Sequence, residues 1–361
     1  MQPRGRKHVT MGVAGVAAIA AAVALSACSS SPKPSGGGSS PSAAALSGTI
    51  NGAGSTFQTT FQQAALSQFK SVQPGITVNY DAVGSGTGRT DLYSGTVNYA
   101  GSDSPIPATE TASLKGRAVL YFPVVIGPIT MSYNLTGVSN LKLTPTLIAN
   151  IFQGNITSWN NPAIAAVNPG VNLPSTPITL AVRSDSSGTT QNFSLFLQTA
   201  VPSVWKLGSA STISWPTSAR AAMGNSGVAQ VVKSTPGAIG YVDLATAHAS
   251  GLTSASVENS SGKFIAPTTA AASASASTAT VASDLTFHAV WGTNAAAYPI
   301  TYQSWVIVYT KQPNANDAKL LQAYIGFLIG DGQSLLPSLD YAKLPASIDQ
   351  QAKAQLSKIT G

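Results

Sequence analysis

From about position 47 onward, short apolar runs alternate with segments whose apolar residues recur every three or four positions. The first kind predicts strands over Gly75–Tyr80, Ala118–Ile126, Ile129–Asn134, Ile178–Arg183, Ile239–Val242 and Ser304–Tyr309. The second predicts helices over Phe57–Phe69, Thr144–Phe152, Gln191–Ala200 and Ala318–Leu328. In the first of these, Phe57, Phe61, Ala65 and Phe69 share one face, which marks the side that meets a core. Strand–helix alternation favours an α/β fold with mostly parallel sheets, because each parallel pair needs a crossover and a helix supplies it. There is no repeat at a solenoid period. The low-complexity stretch Ala270–Ser283 reads as a surface loop inserted between elements.

The amino end follows a different pattern. Arg4, Arg6 and Lys7 precede the uncharged run Val13–Leu25, which meets Leu25-Ser26-Ala27-Cys28. That is the order of a secretory signal peptide, residues 1–27, whose apolar stretch is too short to span a bilayer comfortably. Small residues before a cysteine are what lipoprotein processing needs: the thiol takes acyl chains such as palmitate, and the peptide is cut just before it. Cys28 is the sole cysteine, so the mature chain has no disulfide, thiolate metal site or catalytic thiol. Residues 28–47 are therefore a lipidated cysteine and a flexible Ser/Pro/Gly/Ala tether with a reach of about 25 Å.

Charge narrows the function further. Of the formal net charge of +7, three charges lie in the export segment, and the rest are dispersed along the chain. With no Lys/Arg cluster and no basic stripe carrying aromatics, counterion release would give little affinity for nucleic acid. Only 9% of residues are charged while Ser, Thr and Asn are plentiful, so recognition by neutral donors is expected. No second apolar stretch of membrane-spanning length follows the first.

Three segments end a strand or loop with glycines and hydroxyls and then open a helix: Gly52–Phe57, Gly84–Gly88 and Arg183–Thr190. A helix N-terminus offers unpaired N–H groups and a partial positive charge, which suit an oxyanion. Glycine allows close backbone approach, and Ser/Thr hydroxyls add rotatable donors. Singly, each segment reads as well as a cap or a turn. Arg183 changes the balance, because a guanidinium can pair bidentately with a tetrahedral oxyanion and Asp185 can hold it in place. A surface Arg–Asp pair is the plainer alternative. In a fourth segment, Ala100–Pro105, Asp103 beside an anion site is tolerable only if the ligand brings a proton. Monohydrogen phosphate does so at neutral pH and sulfate does not, so one carboxylate both accepts that proton and repels the fully ionised rival. An Asx turn before Pro105 is the structural alternative.

Six segments occur in the order and spacing of the phosphate-binding proteins of Pst-type ABC importers, the PstS family. They are Gly52–Phe57, Val83–Gly88, Gly101–Pro105, Phe122–Gly127, Arg183–Thr189 and Pro236–Val242. The stretches Ile151–Pro174, Tyr298–Tyr309 and Leu339–Leu344 resemble the same family, so the likeness covers essentially the whole folded region. The resemblance implies a two-lobe, type II periplasmic-binding-protein fold, α/β, with hinge strands and a central cleft. Lobe I would comprise 48–133 plus 302–361 and lobe II 134–301, with Phe122–Asn134 and Tyr298–Tyr302 as the crossings. It implies inorganic phosphate as ligand, held by Thr56, Phe57, Ser85 and Asp103 from one lobe and Arg183, Ser187, Gly188 and Thr189 from the other. Asp185 would orient Arg183. It further implies delivery to an ABC permease by a monomer with no cofactor and no catalysis, held outside the cytoplasm on a membrane by the Cys28 lipid. Arg89 has no counterpart in this set and reads as a solvated helix residue, with an extra source of positive potential near the cleft as the alternative.

Other classes are less well served. A metal phosphatase needs clustered histidines and carboxylates, and the mature chain has only His248 and His288. No G-x-S-x-G elbow occurs, and Ser67-x-x-Lys70 and Ser203-x-x-Lys206 lack the companion motifs of serine acyl-enzymes. Asp103 argues against a binder of fully ionised anions such as sulfate or molybdate, but not against protonated phosphate analogues such as arsenate. The complete donor set argues against a lipoprotein that keeps the scaffold without the ligand.

Overall fold

The computed structural model describes residues 46–361, which form one compact unit. The export segment, Cys28 and nearly all of the tether lie outside the described residues. The chain runs β1 (Gly48–Gly54), α1 (Thr59–Val72), β2 (Ile76–Asp81), α2 (Ser85–Ser94), β3 (Tyr99–Ser102) and β4 (Val119–Tyr133). It continues with β5 (Lys142–Leu143), α3 (Pro145–Phe152), α4 (Pro162–Val167), β6 (Thr179–Arg183), α5 (Gly188–Ala200), β7 (Arg220–Ala222) and α6 (Gly224–Ser234). Then come β8 (Ala238–Asp243), α7 (Leu244–Ala249), β9 (Thr253–Glu258), β10 (Phe264–Ile265), α8 (Thr269–Ala276), β11 (Thr301–Tyr309), α9 (Ala315–Leu328) and α10 (Ala346–Ala354).

The strands join in the order β2-β1-β3-β11-β4-β8-β6-β7, with β9 on β4 and carrying β5 and β10. β1 is parallel to β2 and β3, and β6 is parallel to β7 and β8, each set fed by helical crossovers. Between the two sets, β11 is antiparallel to β3 and β4, and β4 is antiparallel to β8. The expected mostly parallel sheet is therefore mixed. Parallel pairing holds at both flanks, while β4 and β11 carry the chain between them in opposite directions.

The two strands expected at Ala118–Ile126 and Ile129–Asn134 are one strand of 15 residues. It pairs with β11 through Val119–Pro128 and with β8 from Ile129 to Tyr133. Gly127-Pro128 resembles a break in sequence, but Pro128 ends the β11 ladder, where a missing N–H costs least. Phe122, Val124, Val125, Ile126, Ile129 and Met131 are all fully buried, as a strand covered on both faces requires.

Helix α1 buries Phe61, Ala65 and Phe69, and Phe57 just before it is buried as well. Ala270–Ser283 departs from the expected loop, since most of it is α8 and the turn that follows. Thr268 Oγ1 caps the helix by accepting from the Ala271 N–H at 3.1 Å. Ala272 and Ala276 pack in the apolar cluster that contains Phe287 and Trp305. Composition misleads here because alanine, however repetitive, is the best helix former, and its small side chain lets the helix lie close to the sheet.

Candidate functional site

The carboxyl ends of β1 and β3 deliver Gly54-Ser55-Thr56 and Asp103, and β2 leads into Gly84-Ser85 at the start of α2. From the other side, β6, β7 and β8 end at Arg183, Ala222 and Asp243. The two sets of parallel strands thus point their carboxyl ends at one crevice, where open α/β sheets bind ligands.

Contact across the crevice is close. The Gly86 N–H donates to the Ser186 carbonyl at 3.0 Å, and Asn192 Nδ2 donates to the Asp103 carbonyl at 2.6 Å. Gly84 has φ +95°, and a Cβ there would collide with the Asp185 carboxylate. A Cβ on Gly188 would stand 2.5 Å from Ser85 Oγ and 2.6 Å from Asp103 Oδ2. Glycine at these positions is what lets the two walls meet.

Asp103 is 1% exposed. Its Oδ1 accepts from the Ser55 and Ser304 hydroxyls, the latter at 2.6 Å, and Oδ2 accepts from Ser85 Oγ at 3.4 Å. Burial pushes this carboxyl up to about 6; hydroxyl bonds from Ser304 and Ser55 and the Arg183 charge pull it down, and buried Asp243 adds to the rise. Oδ2, the more weakly held oxygen, faces Gly188 and Ser85.

Arg183 is 5% exposed and held from two edges. Asp185 accepts from Nε at 2.7 Å and from Nη2, while Asn225 Oδ1 accepts from Nη1 at 2.8 Å. The expected Arg–Asp pair is therefore in the crevice wall, where it orients the guanidinium. Burial works to raise the Asp185 carboxyl, but bonding to Arg183 and to the Gly224 N–H brings it below the usual range. Thr189 Oγ1 lies 3.4 Å from Arg183 Nη1. Ser187 caps α5, its Oγ accepting from the Thr190 N–H at 3.1 Å, so its hydroxyl proton stays available. The cap reading and the donor reading of Ser187 are compatible.

Thr56 sits at the mouth, its Oγ1 accepting from the Asn225 N–H at 3.4 Å across the crevice. The Phe57 N–H donates to Ser55 Oγ at 3.1 Å, and its ring stacks on Tyr302 with centroids 4.0 Å apart. All eight residues expected from the sequence to hold the ligand, with Asp185, therefore line one crevice.

Arg89 is not where sequence reasoning puts it. It is fully buried, with Nε and Nη2 each donating to Glu110 at 2.8 Å and Nη1 donating to Ser102 Oγ at 3.1 Å and Ser104 Oγ at 3.3 Å. Its α2 face turns inward, so the charge serves to bolt the loop that carries Asp103.

Sequence reasoning also misses Ser55, Ser304, Asn192, Asn225 and Asp243. Ser55 lies inside the Gly52–Phe57 loop, where a hydroxyl among glycines is itself a signal. Asn225 follows β7, only three residues long, and carries no periodic signal. Among the described residues, no group of three His, Cys, Asp or Glu side chains is placed to hold a metal.

A PBP superfamily domain (PBP-like 2) matches residues 39–331, and the chain belongs to this superfamily of two-lobe binding proteins. It is 33% identical to the phosphate-binding protein PstS3 of Mycobacterium bovis over 94% of this chain and 96% of that one. It is also 33% identical to the phosphate-binding protein PstS of Xylella fastidiosa over 78% of this chain and 77% of that one. Within the superfamily, then, the chain is a member of the PstS family. Among solved structures, a phosphate-binding protein from Stenotrophomonas maltophilia superposes with a TM-score of 0.67 at 20% identity, covering 85% of this chain and 93% of that one. That likeness supports the two-lobe fold.

Proposed function

We propose that this chain captures inorganic phosphate outside the cytoplasm and hands it to an ABC permease, without chemistry on the ligand. In this reading the N–H and hydroxyl donors of Thr56, Phe57, Ser85, Ser187, Gly188 and Thr189 surround the phosphate oxygens, and Arg183 neutralises charge. Asp103 accepts a hydrogen bond from the proton the ligand carries. The lobes divide as 48–133 plus 302–361 and 134–301, although strand pairing alone would favour a hand-over at Pro128–Ile129 and α8 packs with the first half. The Cys28 lipid holds a monomer at the membrane, and among the described residues no helix is long and apolar enough to cross one. A ligand touching both walls stabilises the closed form, which is the form a permease can distinguish.

The observation that carries this reading is Asp103, a buried carboxylate whose oxygens accept only from hydroxyls, opposite one clamped guanidinium. Such a site rewards an anion that can donate one hydrogen bond. Calorimetric titration of the purified chain, freed of bound phosphate, tests it. Phosphate is expected to bind one to one and sulfate to give no signal at pH 8. Below about pH 6 protonated Asp103 becomes a donor, so sulfate binding should appear; Asp103→Asn, a donor at every pH, should accept sulfate throughout. Equal rejection of sulfate by the variant would sink the role given to Asp103.

A further inference from the structure

We propose that Asn225 and Asp243 are positioning residues of the phosphate site, Asp243 fixing the Asn225 amide and Asn225 setting Arg183 and Thr56 together. The inference rests on the phosphate reading above and deepens it. Asn225 lies in the first turn of α6 and is 1% exposed; Asp243 ends β8 and is equally buried. Asn225 Nδ2 donates to Asp243 Oδ2 at 2.7 Å, and its Oδ1 accepts from Arg183 Nη1 at 2.8 Å. The direction of the relay is chemically forced. Arginine can only donate, so the amide oxygen must face it, and an amide nitrogen can only donate, so Asp243 Oδ2 must accept. Asp243 cannot turn away, because its Oδ1 caps α7 by accepting from the Thr246 N–H at 2.8 Å.

Two consequences reach the ligand. Asp185 and Asn225 grip opposite edges of the guanidinium, so Arg183 cannot swing. The second Nη1 hydrogen reaches Thr189 Oγ1 only at 3.4 Å, and one on Nη2 has no side-chain partner among the described residues. Meanwhile the Asn225 N–H occupies a lone pair of Thr56 Oγ1, at 3.4 Å, which leaves the single hydroxyl proton of Thr56 to be donated elsewhere. One residue thus arms a donor on each wall. Preorganised donors bind more tightly because their ordering cost is met in folding.

The test compares the purified full-length chain with Asn225→Ala, Asn225→Asp and the exchange Asn225→Asp/Asp243→Asn, by phosphate calorimetry and ligand-free thermal unfolding. Asn225→Ala should weaken phosphate binding about tenfold to a hundredfold, the range for a lost hydrogen bond to a charged group. Asn225→Asp keeps an acceptor for Arg183 but faces Asp243 with a second carboxylate, and should also bind poorly. The exchange restores donor and acceptor order with the roles reversed, and phosphate affinity is expected within about threefold of the native chain. A residue that merely filled space would show no such rescue. The proposal is overturned if Asn225→Ala binds within twofold of native, or if the exchange binds no better than Asn225→Asp; the second criterion stands even if Asn225→Ala fails to fold. A native chain that takes up no phosphate would instead overturn the reading of the site, and this inference with it.

Discussion

Two arginines in this molecule are buried to nearly the same degree and clamped by a carboxylate in nearly the same way, yet they do opposite work. Arg89, behind the first wall of the crevice, gives two hydrogen bonds to Glu110 and two to Ser102 and Ser104, all within its own half of the sheet. Glu110 also accepts from the Tyr93 hydroxyl at 2.8 Å. Arg183, in the second wall, is clamped as firmly by Asp185, but its remaining edge opens among Thr189, Asn225 and the first turns of α5 and α6. Each guanidinium makes four side-chain hydrogen bonds, so the difference lies in place: a buried cation becomes a binding group when its partners hold it at the rim of a crevice. Arg89 is enclosed behind the first wall, and its charge holds the Asp103 loop.

Breaking each clamp in turn should separate the two roles. Arg89→Ala leaves Glu110 without its partner, and unfolding in urea should show a loss of about 3–5 kcal/mol. Arg183→Ala likewise strips Asp185 of its partner and should cost about as much, but it alone should weaken phosphate binding a hundredfold or more. Equal losses of phosphate affinity, read by calorimetry, would erase the distinction.

A somewhat smaller effect is expected from Asp103→Asn in the ligand-free chain. The folded-state carboxyl lies at about 6, above the unfolded value near 3.8, so the folded chain favours the protonated form. Above pH 6 the native chain therefore carries an ionised group at a cost, and below about pH 4 that cost is absent. The amide should raise stability by about 2–3 kcal/mol at pH 7.5, with the gain fading between pH 6 and pH 4. Melting curves across that range check the sign; the gain in stability and the loss of anion discrimination should come together, as at other strained sites.

The smallest effect sharpens the comparison at the meeting point of the walls. Gly188→Ala would crowd Ser85 and Asp103 only when the crevice is shut. Phosphate affinity should fall about tenfold, roughly 1.4 kcal/mol, while the ligand-free chain gains up to about 1 kcal/mol from alanine in a helix. An unchanged affinity by calorimetry would mean that the walls do not close to this distance around the ligand.

Much of the site is legible in the residues because its chemistry is local. A glycine-and-hydroxyl loop between a strand and a helix announces donors wherever it lies, and Arg183, Asp185, Ser187, Gly188 and Thr189 fall within seven consecutive positions. Asp103 is legible for a chemical reason, since a carboxylate among donors implies a proton on the ligand. Ser304, Asn192, Asn225 and Asp243 send no such signal. Each is an ordinary polar residue in a strand or a helix turn, made relevant by a neighbour more than fifteen positions away. Ala270–Ser283 errs in the other direction, its monotony masking a helix whose small side chains allow close packing.

By itself, then, the sequence determined the strands and helices whose apolar period is strong, the anion-binding loops at their junctions, and the chemistry of the ligand those loops can hold. These depend on interactions within a few residues. Tertiary structure alone decided that Arg89 is buried and bound to Glu110 while Arg183 faces the crevice. It also decided that β4 is one strand serving both halves, and that Asn225 lies between Arg183 and Asp243. Those outcomes depend on which groups meet across the sheet, and for a buried charge or amide that meeting sets both its cost and its use.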